Sequence, residues 1–515
     1  MFRILFFLSI FFAIPAFSQE SLNITLLDEF DRGDERYSGS WSYVQNGQEY
    51  GLVGAKTGTA IYSISANGEL EELAFIPGPS SNWREITCVG DYAYVVTEGT
   101  GAGQGLQVIA LGDLPNSASL LTTYDATFQT GHIIQKDIFD EDNRIYICGT
   151  NTTSGVHILD ISDPANPVEI GLYQPGYYIH DCHVRGDTMY AAAFNEGKLD
   201  FVNISDPEEL VVFNVLNDPG ANTHSCSTTE DHTTLFLADE LDGLPGRIFD
   251  LTSEEDLDQL ALYSANLESL VHNPYIVGND LAYISHNTEG LRILDIADPR
   301  LPVEVGYFDT FDGESGGFFG LWSACPYLPS GRILGGDRWR GLMLFEYNGI
   351  QAGRIYLQVV DSITGAILPE TDFYFAGDTI ALDAEARWSY GTLPTTLTLD
   401  FELDQYEPKT MEVVLESQDQ LTLLVEMVPE GASVTEPNPS LLTIYPNPAT
   451  EQIRIEGGLG KGQILIFSAL GQELINQTVD GTTAEISIQG LPAGTYWGQW
   501  LGGEGVRQYF SFIRK

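Results

Sequence analysis

Seven aromatic or imidazole side chains recur at one position of a long repeating sequence. They come at intervals of about 42 to 50 residues and include four of the eight histidines in the chain. Indole and imidazole rings stack on flat ligands, and a neutral imidazole also donates hydrogen bonds and binds metals. We call this set the ring residues: Trp41, Trp83, His132, His180, His224, His272 and Trp322. Their recurrence predicts that a repeating fold brings them around one axis.

Three roles are open for the ring residues. Large flat side chains at one repeat position can pack between neighbouring units without binding anything. They can instead form a ligand site, in which the rings stack on a sugar or another planar molecule. Three consecutive histidines can also hold a metal, but no carboxylate spacing confirms such a site, and we assign no metal ligand. Asp181 and Asn273 each follow a ring histidine, and we expect them to orient its imidazole in any of these roles.

The sequence offers one weak catalytic motif. Residues 313–317 read Gly-Glu-Ser-Gly-Gly, which fits G-x-S-x-G by letter. A nucleophile elbow needs a strand before it and a helix after it, whereas this segment stands between two predicted strands. We therefore assign no catalytic residue and no cofactor. A binding protein is the favoured interpretation, and the alternative is a metal-dependent hydrolase or lyase with its site in a central channel.

The ring residues belong to seven repeat units. The two clearest copies are residues 155–171 and 290–306, which share the sequence Ile-Leu-Asp-Ile-x-Asp-Pro. The anchors of the seven copies are Ile61, Leu106, Val156, Leu199, Arg247, Leu291 and Leu342. Within a unit, hydrophobic runs separated by turns that contain Gly and Asp predict four strands. A period of about 45 residues is typical of a four-stranded propeller blade.

The two ends of the repeat region complement each other. The seventh unit lacks a fourth strand, because the chain leaves it after residues 342–345. Residues 22–30 have the character of the missing strand, and a strand that joins the last unit would remove the open edge of its sheet. The sequence therefore predicts an all-β fold. It consists of a seven-bladed β-propeller over residues 19–349, closed by the N-terminal strand and followed by two small β-sandwich domains.

The repeat units resemble the LVIVD repeat of secreted and surface bacterial proteins. The resemblance rests on residues 155–171 and 290–306, and weaker copies extend it over about two thirds of the chain. It implies a propeller fold. The family has no agreed activity, so the resemblance implies none for this chain.

Residues 350–428 follow a different pattern. A predicted strand begins at Arg354, a turn falls at Thr364 and Gly365, and a strand restarts at Asp372. With the later Tyr-Glu-Pro segment, this pattern resembles the carboxypeptidase regulatory-like β-sandwich. The resemblance implies an accessory spacer without peptidase activity. Residues 429–440, which contain three prolines, predict a linker.

Residues 441–515 carry the most specific resemblance. Ile-Tyr-Pro-Asn-Pro-Ala at 444–449, Leu-Pro-Ala-Gly-Thr-Tyr at 491–496 and the basic end of the chain occur in order. They resemble the type A C-terminal sorting domain of type IX secretion. The resemblance implies that the type IX secretion machinery is a partner and that the protein crosses the outer membrane.

The N-terminus and the net charge indicate the localisation of the protein and the partners it can have. Arg3, the apolar run 4–14 and small residues before Gln19 predict a signal peptide over residues 1–18. This run is too short to span a membrane, and no later segment qualifies. A net charge of −50 argues against nucleic acid and anionic lipid as main partners. The five cysteines are predicted to be core residues. We expect export to the periplasm and then to the cell surface or the extracellular space, with a glycan or a protein as the propeller's ligand.

Overall fold

The computed structural model describes most of the chain, which is residues 20–33, 36–140, 142–218, 220–253, 257–431, 442–457, 459–468, 473–502 and 507–515. The predicted signal peptide and residues 432–440 of the predicted linker lie outside the described residues. Where the chain is described, its regular structure is β-strand apart from a 3-10 turn at Phe194–Glu196, and no helix could cross a membrane. The described residues form two compact units: those within 20–354, 390–395 and 414–419 form the first, and the other described residues from 355 onward form the second.

The first unit contains twenty-nine strands in the described residues. In chain order they are β1 (Ser21–Leu22), β2 (Ile24–Phe30), β3 (Tyr37–Gln45), β4 (Gln48–Ala55), β5 (Gly58–Ile64), β6 (Leu70–Pro77), β7 (Arg84–Val89), β8 (Tyr92–Thr97), β9 (Leu106–Ala110), β10 (Ser119–Tyr124), β11 (Ile133–Gln135), β12 (Arg144–Cys148), β13 (Val156–Asp160), β14 (Val168–Tyr173), β15 (Asp181–Arg185), β16 (Thr188–Ala193), β17 (Lys198–Asn203), β18 (Val211–Asn217), β19 (Thr223–Thr228), β20 (Thr234–Asp239), β21 (Gly246–Asp250), β22 (Gln259–Tyr263), β23 (Asn273–Val277), β24 (Leu281–Ser285), β25 (Leu291–Asp295), β26 (Val303–Phe308), β27 (Leu321–Cys325), β28 (Ile333–Asp337) and β29 (Gly341–Tyr347).

These strands form seven antiparallel sheets, which we number in chain order. Sheets one to five each contain four consecutive strands, beginning with β3, β7, β11, β15 and β19. Sheet six contains β23 to β26 with β1 added at its edge, and sheet seven contains β27 to β29 with β2 as its fourth strand. The first strand of each sheet contacts the first strand of the next, and β27 of sheet seven contacts β3 of sheet one. Each ring residue stands within, or directly before, one of these first strands.

Burial within a sheet follows the strand order. In sheet two, β8 and β9 are almost completely buried, whereas the fourth strand β10 is mostly exposed. Inner strands that are covered on both faces need apolar residues on both faces, which explains the continuous run Tyr92-Ala-Tyr-Val-Val. The hairpin between the first and second strands turns at a glycine with positive φ, which is +53° at Gly90. The prediction of core cysteines is confirmed, because all five are buried and free.

The N-terminal residues pair with two different sheets. As predicted, β2 joins the last sheet: it runs antiparallel to β29, with Ile24 opposite Tyr347. The predicted single strand over residues 22–30 is interrupted, however, at Asn23, which has a φ of +57°. The amide of Asn23 donates a hydrogen bond to the carbonyl of Val305 (2.7 Å), and β1 pairs with β26 of sheet six. The turn at Asn23 therefore lets one segment pair with both sheets.

The second unit and the segments that lead into it contain four further sheets. Their strands are β30 (Gly353–Asp361), β31 (Asp372–Phe375), β32 (Asp378–Ile380), β33 (Arg387–Thr392), β34 (Thr395–Glu402), β35 (Lys409–Leu415), β36 (Gln420–Met427), β37 (Thr443–Tyr445), β38 (Gln452–Glu456), β39 (Lys461–Phe467), β40 (Glu473–Asp480), β41 (Thr483–Ser487), β42 (Gly494–Gly502) and β43 (Arg507–Arg514). The sheet orders are β33-β30-β36, β32-β31-β34-β35, β37-β38-β41 and β40-β39-β42-β43. The last two sheets share one hydrophobic core, in which Ile453 of β38 and Ile464 of β39 are fully buried.

Candidate functional site

Backbone hydrogen bonds hold the ring histidines at the starts of the first strands. The amide of His132 donates to the carbonyl of Cys148 (2.9 Å), and the amide of His180 donates to that of Ala192 (2.9 Å). Each acceptor lies at or near the end of the second strand of the same sheet. The repeat therefore fixes each histidine at an equivalent place in its own sheet.

Four imidazoles and one indole form an unbroken row across five consecutive sheets. The centroid distances are 4.3 Å from His132 to His180, 4.2 Å from His180 to His224, and 4.4 Å from His224 to His272. Trp322 continues the row at 4.5 Å from His272. All five side chains are buried, with exposed fractions between 1% and 8%. We call the four imidazoles the histidine row.

Backbone carbonyls fix the orientation of two imidazoles in this row. Nδ1 of His224 lies 3.1 Å from the carbonyl oxygen of His272, and Nδ1 of His272 lies 3.2 Å from that of Trp322. A carbonyl oxygen only accepts hydrogen bonds, so Nδ1 carries the proton in both rings. In the neutral imidazole, Nε2 is then left with a free lone pair. Nε2 of His272 has no hydrogen-bond partner, although the residue is 99% buried.

The expected orienting groups are engaged elsewhere. Asp181 accepts a hydrogen bond from the side-chain amide of Gln135 (2.9 Å), and Asn273 donates to the carbonyl of Trp322 (3.3 Å). Nδ1 of His180, directly before Asp181, has no hydrogen-bond partner. The structure therefore differs from the expectation that these two residues orient the preceding imidazoles.

One carboxylate stands against the middle of the histidine row. Oε1 of Glu240 lies 3.7 Å from Nε2 of His224 and 3.6 Å from Nε2 of His272. Single ligand atoms of His180, His224 and Glu240 all lie within 4.8 Å of one another. Three imidazoles from three neighbouring sheets thus surround one carboxylate.

Burial sets the protonation of two imidazoles in the row. It lowers the pKa of His180 and His224 well below the usual value, so both rings are neutral at neutral pH. Burial opposes protonation of His132 as well, but the hydrogen bond and the charge of Glu98 outweigh it and raise that pKa. Glu98 accepts from Nδ1 of His132 at 2.8 Å, and this hydrogen bond lowers the pKa of the carboxyl.

The tryptophans have different surroundings. The indole N–H of Trp322 donates to Glu85 (2.9 Å), and the guanidinium of Arg338 lies 4.8 Å from the Trp322 ring centre. The same guanidinium lies 5.6 Å from the Trp83 ring. Trp41 stands apart and contacts Tyr327, with the ring centres 5.7 Å apart. The structure therefore joins five ring residues directly, links Trp83 to them through Arg338, and leaves Trp41 outside the row.

A small cavity lies among the first strands. Its volume is about 50 Å³, and residues from the first strands of sheets one to six line it together with Tyr327. Glu85 and Asp181 are among the lining residues, and burial raises their pKa values to about 7 and about 6. Trp41 is the one ring residue in this lining among the described residues.

Sequence reasoning missed a second set of residues, which touch the ring from the second strands. Glu98, Phe194, Glu240 and Arg338 each come directly after a second strand. Phe194, for example, stacks on His180 with the ring centres 5.2 Å apart. The signal was available, because the residue after the second strand recurs with the same period as the ring.

The Gly-Glu-Ser-Gly-Gly segment lies in the loop between β26 and β27. Ser315 donates a hydrogen bond to Glu289 (2.7 Å) and accepts one from Asn266 (2.9 Å). A carboxylate and an amide are its partners among the described hydrogen bonds, so the geometry does not form a nucleophile–imidazole pair.

Two families match parts of this chain. The LVIVD repeat matches residues 146–174 and 276–310, which fall in sheets three and six. The secretion system C-terminal sorting domain matches residues 443–508. A search of the curated proteins finds no match. The chain therefore carries LVIVD repeats and a type IX sorting domain, as predicted, and the sorting domain directs it to the cell surface or the extracellular space.

Proposed function

We propose that residues 19–349 form a seven-bladed β-propeller that is closed by the N-terminal strand and binds a ligand outside the cell. Three observations support the ring: seven four-stranded sheets, contacts between successive first strands that return from β27 to β3, and the pairing of β2 with β29. The LVIVD matches support the same architecture. In this proposal, residues 350–428 and 441–515 are two small β-sandwich domains.

The half-buried indole of Trp83, which stands beside Arg338 next to the row of rings, is the observation that supports a ligand site. The four imidazoles are buried, and their centroids are 4.2 to 4.4 Å apart with the ring planes inclined at 35° to 66°, so these rings cover one another. Trp83 is only half-buried and keeps free ring surface beside Arg338. A glycan fits this arrangement, because sugars combine an apolar face for an indole with hydroxyls for charged groups. A protein loop that carries an aromatic or acidic side chain is the other ligand class.

A metal-dependent hydrolase or lyase is the second candidate. The convergence of His180, His224 and Glu240 favours it, because imidazole and carboxylate are the usual ligands of catalytic metals. Catalysis also needs an open coordination position and access for a substrate. His180 and His224 are 5% and 1% exposed, whereas Trp83 is half-buried, and this difference in access argues for the binding protein over the enzyme.

Binding of the full chain to an oligosaccharide array, and to a peptide display library, tests the proposed function. We expect a ligand whose affinity falls at least tenfold in Trp83→Ala. Trp497→Ala is the control, because Trp497 lies in the sorting domain and is 38% exposed, and it should bind like the parent. If neither library gives a ligand that is sensitive to the Trp83 substitution, the proposed site is wrong.

A further inference from the structure

We propose that His180, His224, His272 and Glu240 together bind one divalent transition-metal ion of the zinc class. This metal site goes beyond the proposed ligand binding and does not depend on it. Its ligands would come from the first strands of sheets four, five and six and from the end of the second strand of sheet five.

The spacing of the donor atoms is close to that of a coordination shell. Zinc binds imidazole nitrogen and carboxylate oxygen at about 2.0–2.2 Å, so two ligands of a tetrahedral ion stand roughly 3.4 Å apart. Oε1 of Glu240 lies 3.7 Å from Nε2 of His224 and 3.6 Å from Nε2 of His272. Ligand atoms of His180 stand within 4.8 Å of His224 and Glu240. Shifts of a few tenths of an ångström would bring the two contacts of Glu240 to this spacing.

The hydrogen-bonding pattern favours a cation at this point. The Nδ1 protons of His224 and His272 go to backbone carbonyls, so both Nε2 atoms present lone pairs to a carboxylate oxygen. Three acceptors facing one another repel, and burying such groups without a partner is costly. A metal ion satisfies all three acceptors at once.

The surroundings of the two imidazoles match those of metal ligands. Histidines that bind metals commonly donate the other ring N–H to a backbone carbonyl, which fixes the tautomer, as both rings do in this protein. Three imidazoles and one carboxylate suit zinc, cobalt, nickel or copper(II), whereas magnesium and calcium prefer oxygen ligands. Glu98 provides the contrast. It is 43% exposed at its side chain and hydrogen-bonds to one imidazole, so it needs no metal.

The number of ligands indicates what the ion would do. Four protein ligands fill a tetrahedral shell, which is typical of a structural site, whereas catalytic zinc keeps a position for water. The ion would tie sheets four, five and six together. We therefore expect zinc to stabilise the fold, as any ligand that binds only the folded state does.

Calorimetric titration of Zn²⁺ into the full chain, without a polyhistidine tag and after removal of metal by a chelator, tests the site. We expect one tightly bound ion per chain, with an affinity that falls at least tenfold in Glu240→Gln and in His224→Asn. Glu98→Gln is the matched control, since Glu98 holds the equivalent position in sheet two, and it should bind zinc like the parent. Surface carboxylates bind zinc weakly, so the titration is repeated with a competing chelator of known affinity.

Co²⁺ loading of the unmutated chain gives a second measurement that does not depend on the folding of variants. We expect visible absorption bands of tetrahedral cobalt at one equivalent. The proposal is overturned if zinc binds only as weakly as surface carboxylates do, if Glu240→Gln binds like the parent, or if cobalt gives the spectrum of the hydrated ion. None of these results would affect the proposed ligand site at Trp83, which the array experiment tests.

Discussion

Two parts of the ring balance charge differently. The tryptophan part consists of Trp83 and Trp322, and the histidine part is the histidine row. Beside Trp322, the residue after the second strand is Arg338, so the protein supplies its own cation next to the Glu85 carboxylate and the indoles. Beside His224, the equivalent residue is Glu240, whose described ion-pair partners are two imidazoles with proton-free Nε2 atoms. The comparison indicates that the tryptophan part is complete in itself, whereas the histidine part needs a cation from solution.

The comparison holds only if the ring is closed, because β2 completes the sheet that carries Trp322. Deleting residues 21–30 should expose the edge of β29 and lower the melting temperature by roughly 10 °C or more. Deleting only residues 21–22 removes β1 and should have a much smaller effect. Scanning calorimetry of the two deletions measures this. Equal melting temperatures for the longer deletion and the parent would disprove closure by the N-terminal strand.

Removing the central charged residue from each part should destabilise metal-free protein to different extents. Arg338→Ala should lower the free energy of unfolding by about 3 kcal/mol, because Arg338 is buried and donates to the carbonyls of Tyr37 and Asn82. Glu240→Gln should cost less than about 1 kcal/mol, since an amide can donate a hydrogen bond to Nε2. Urea unfolding in the presence of chelator compares them. A large loss in Glu240→Gln without metal would mean that the carboxylate is already satisfied.

The Glu85 carboxylate gives the tryptophan part a pH dependence. Burial raises its pKa to about 7, so the folded state keeps a proton that the unfolded chain releases near its usual pKa. Stability from this group is therefore lost as pH rises from about 4.5 to about 7, by about 3 kcal/mol. In Glu85→Gln this part of the pH dependence should disappear. Unfolding curves at pH 5 and pH 8 measure it, and an unchanged difference between the two pH values would refute the assignment.

Removing the sorting domain should leave both parts of the ring unaffected. Without residues 440–515 the protein should accumulate in the periplasm, because those residues contain the export signal. The free energy of unfolding of the first unit should change by less than about 0.5 kcal/mol, since no ring residue is removed. Cell fractionation and calorimetry measure the two effects. Surface delivery of the truncated chain would contradict the sorting role.

The period of the repeat predicted where the ring residues lie along the strands. The polar contacts around them come from other sheets, and the sequence did not predict them. The period placed six of the seven ring residues at the starts of first strands, whereas Trp41 lies in the middle of β3, and the missing strand in the last unit placed β2 beside β29. The contact of Glu240 with His272 joins two sheets through a loop, and no local pattern encodes that distance. The break at Asn23 was missed for a similar reason. It depends on a hydrogen bond to Val305, far away in the sequence.

Anomalous diffraction at the zinc absorption edge, from crystals of the full chain grown with Zn²⁺, tests the central claim most directly. Our account predicts one strong peak at bonding distance, about 2.0–2.2 Å, from Nε2 of His224, Nε2 of His272, a ring nitrogen of His180 and a carboxylate oxygen of Glu240. It also predicts no peak beside Trp322, where Arg338 already supplies the positive charge. A map with zinc only on surface carboxylates, and with Glu240 unchanged against the imidazoles, would contradict it.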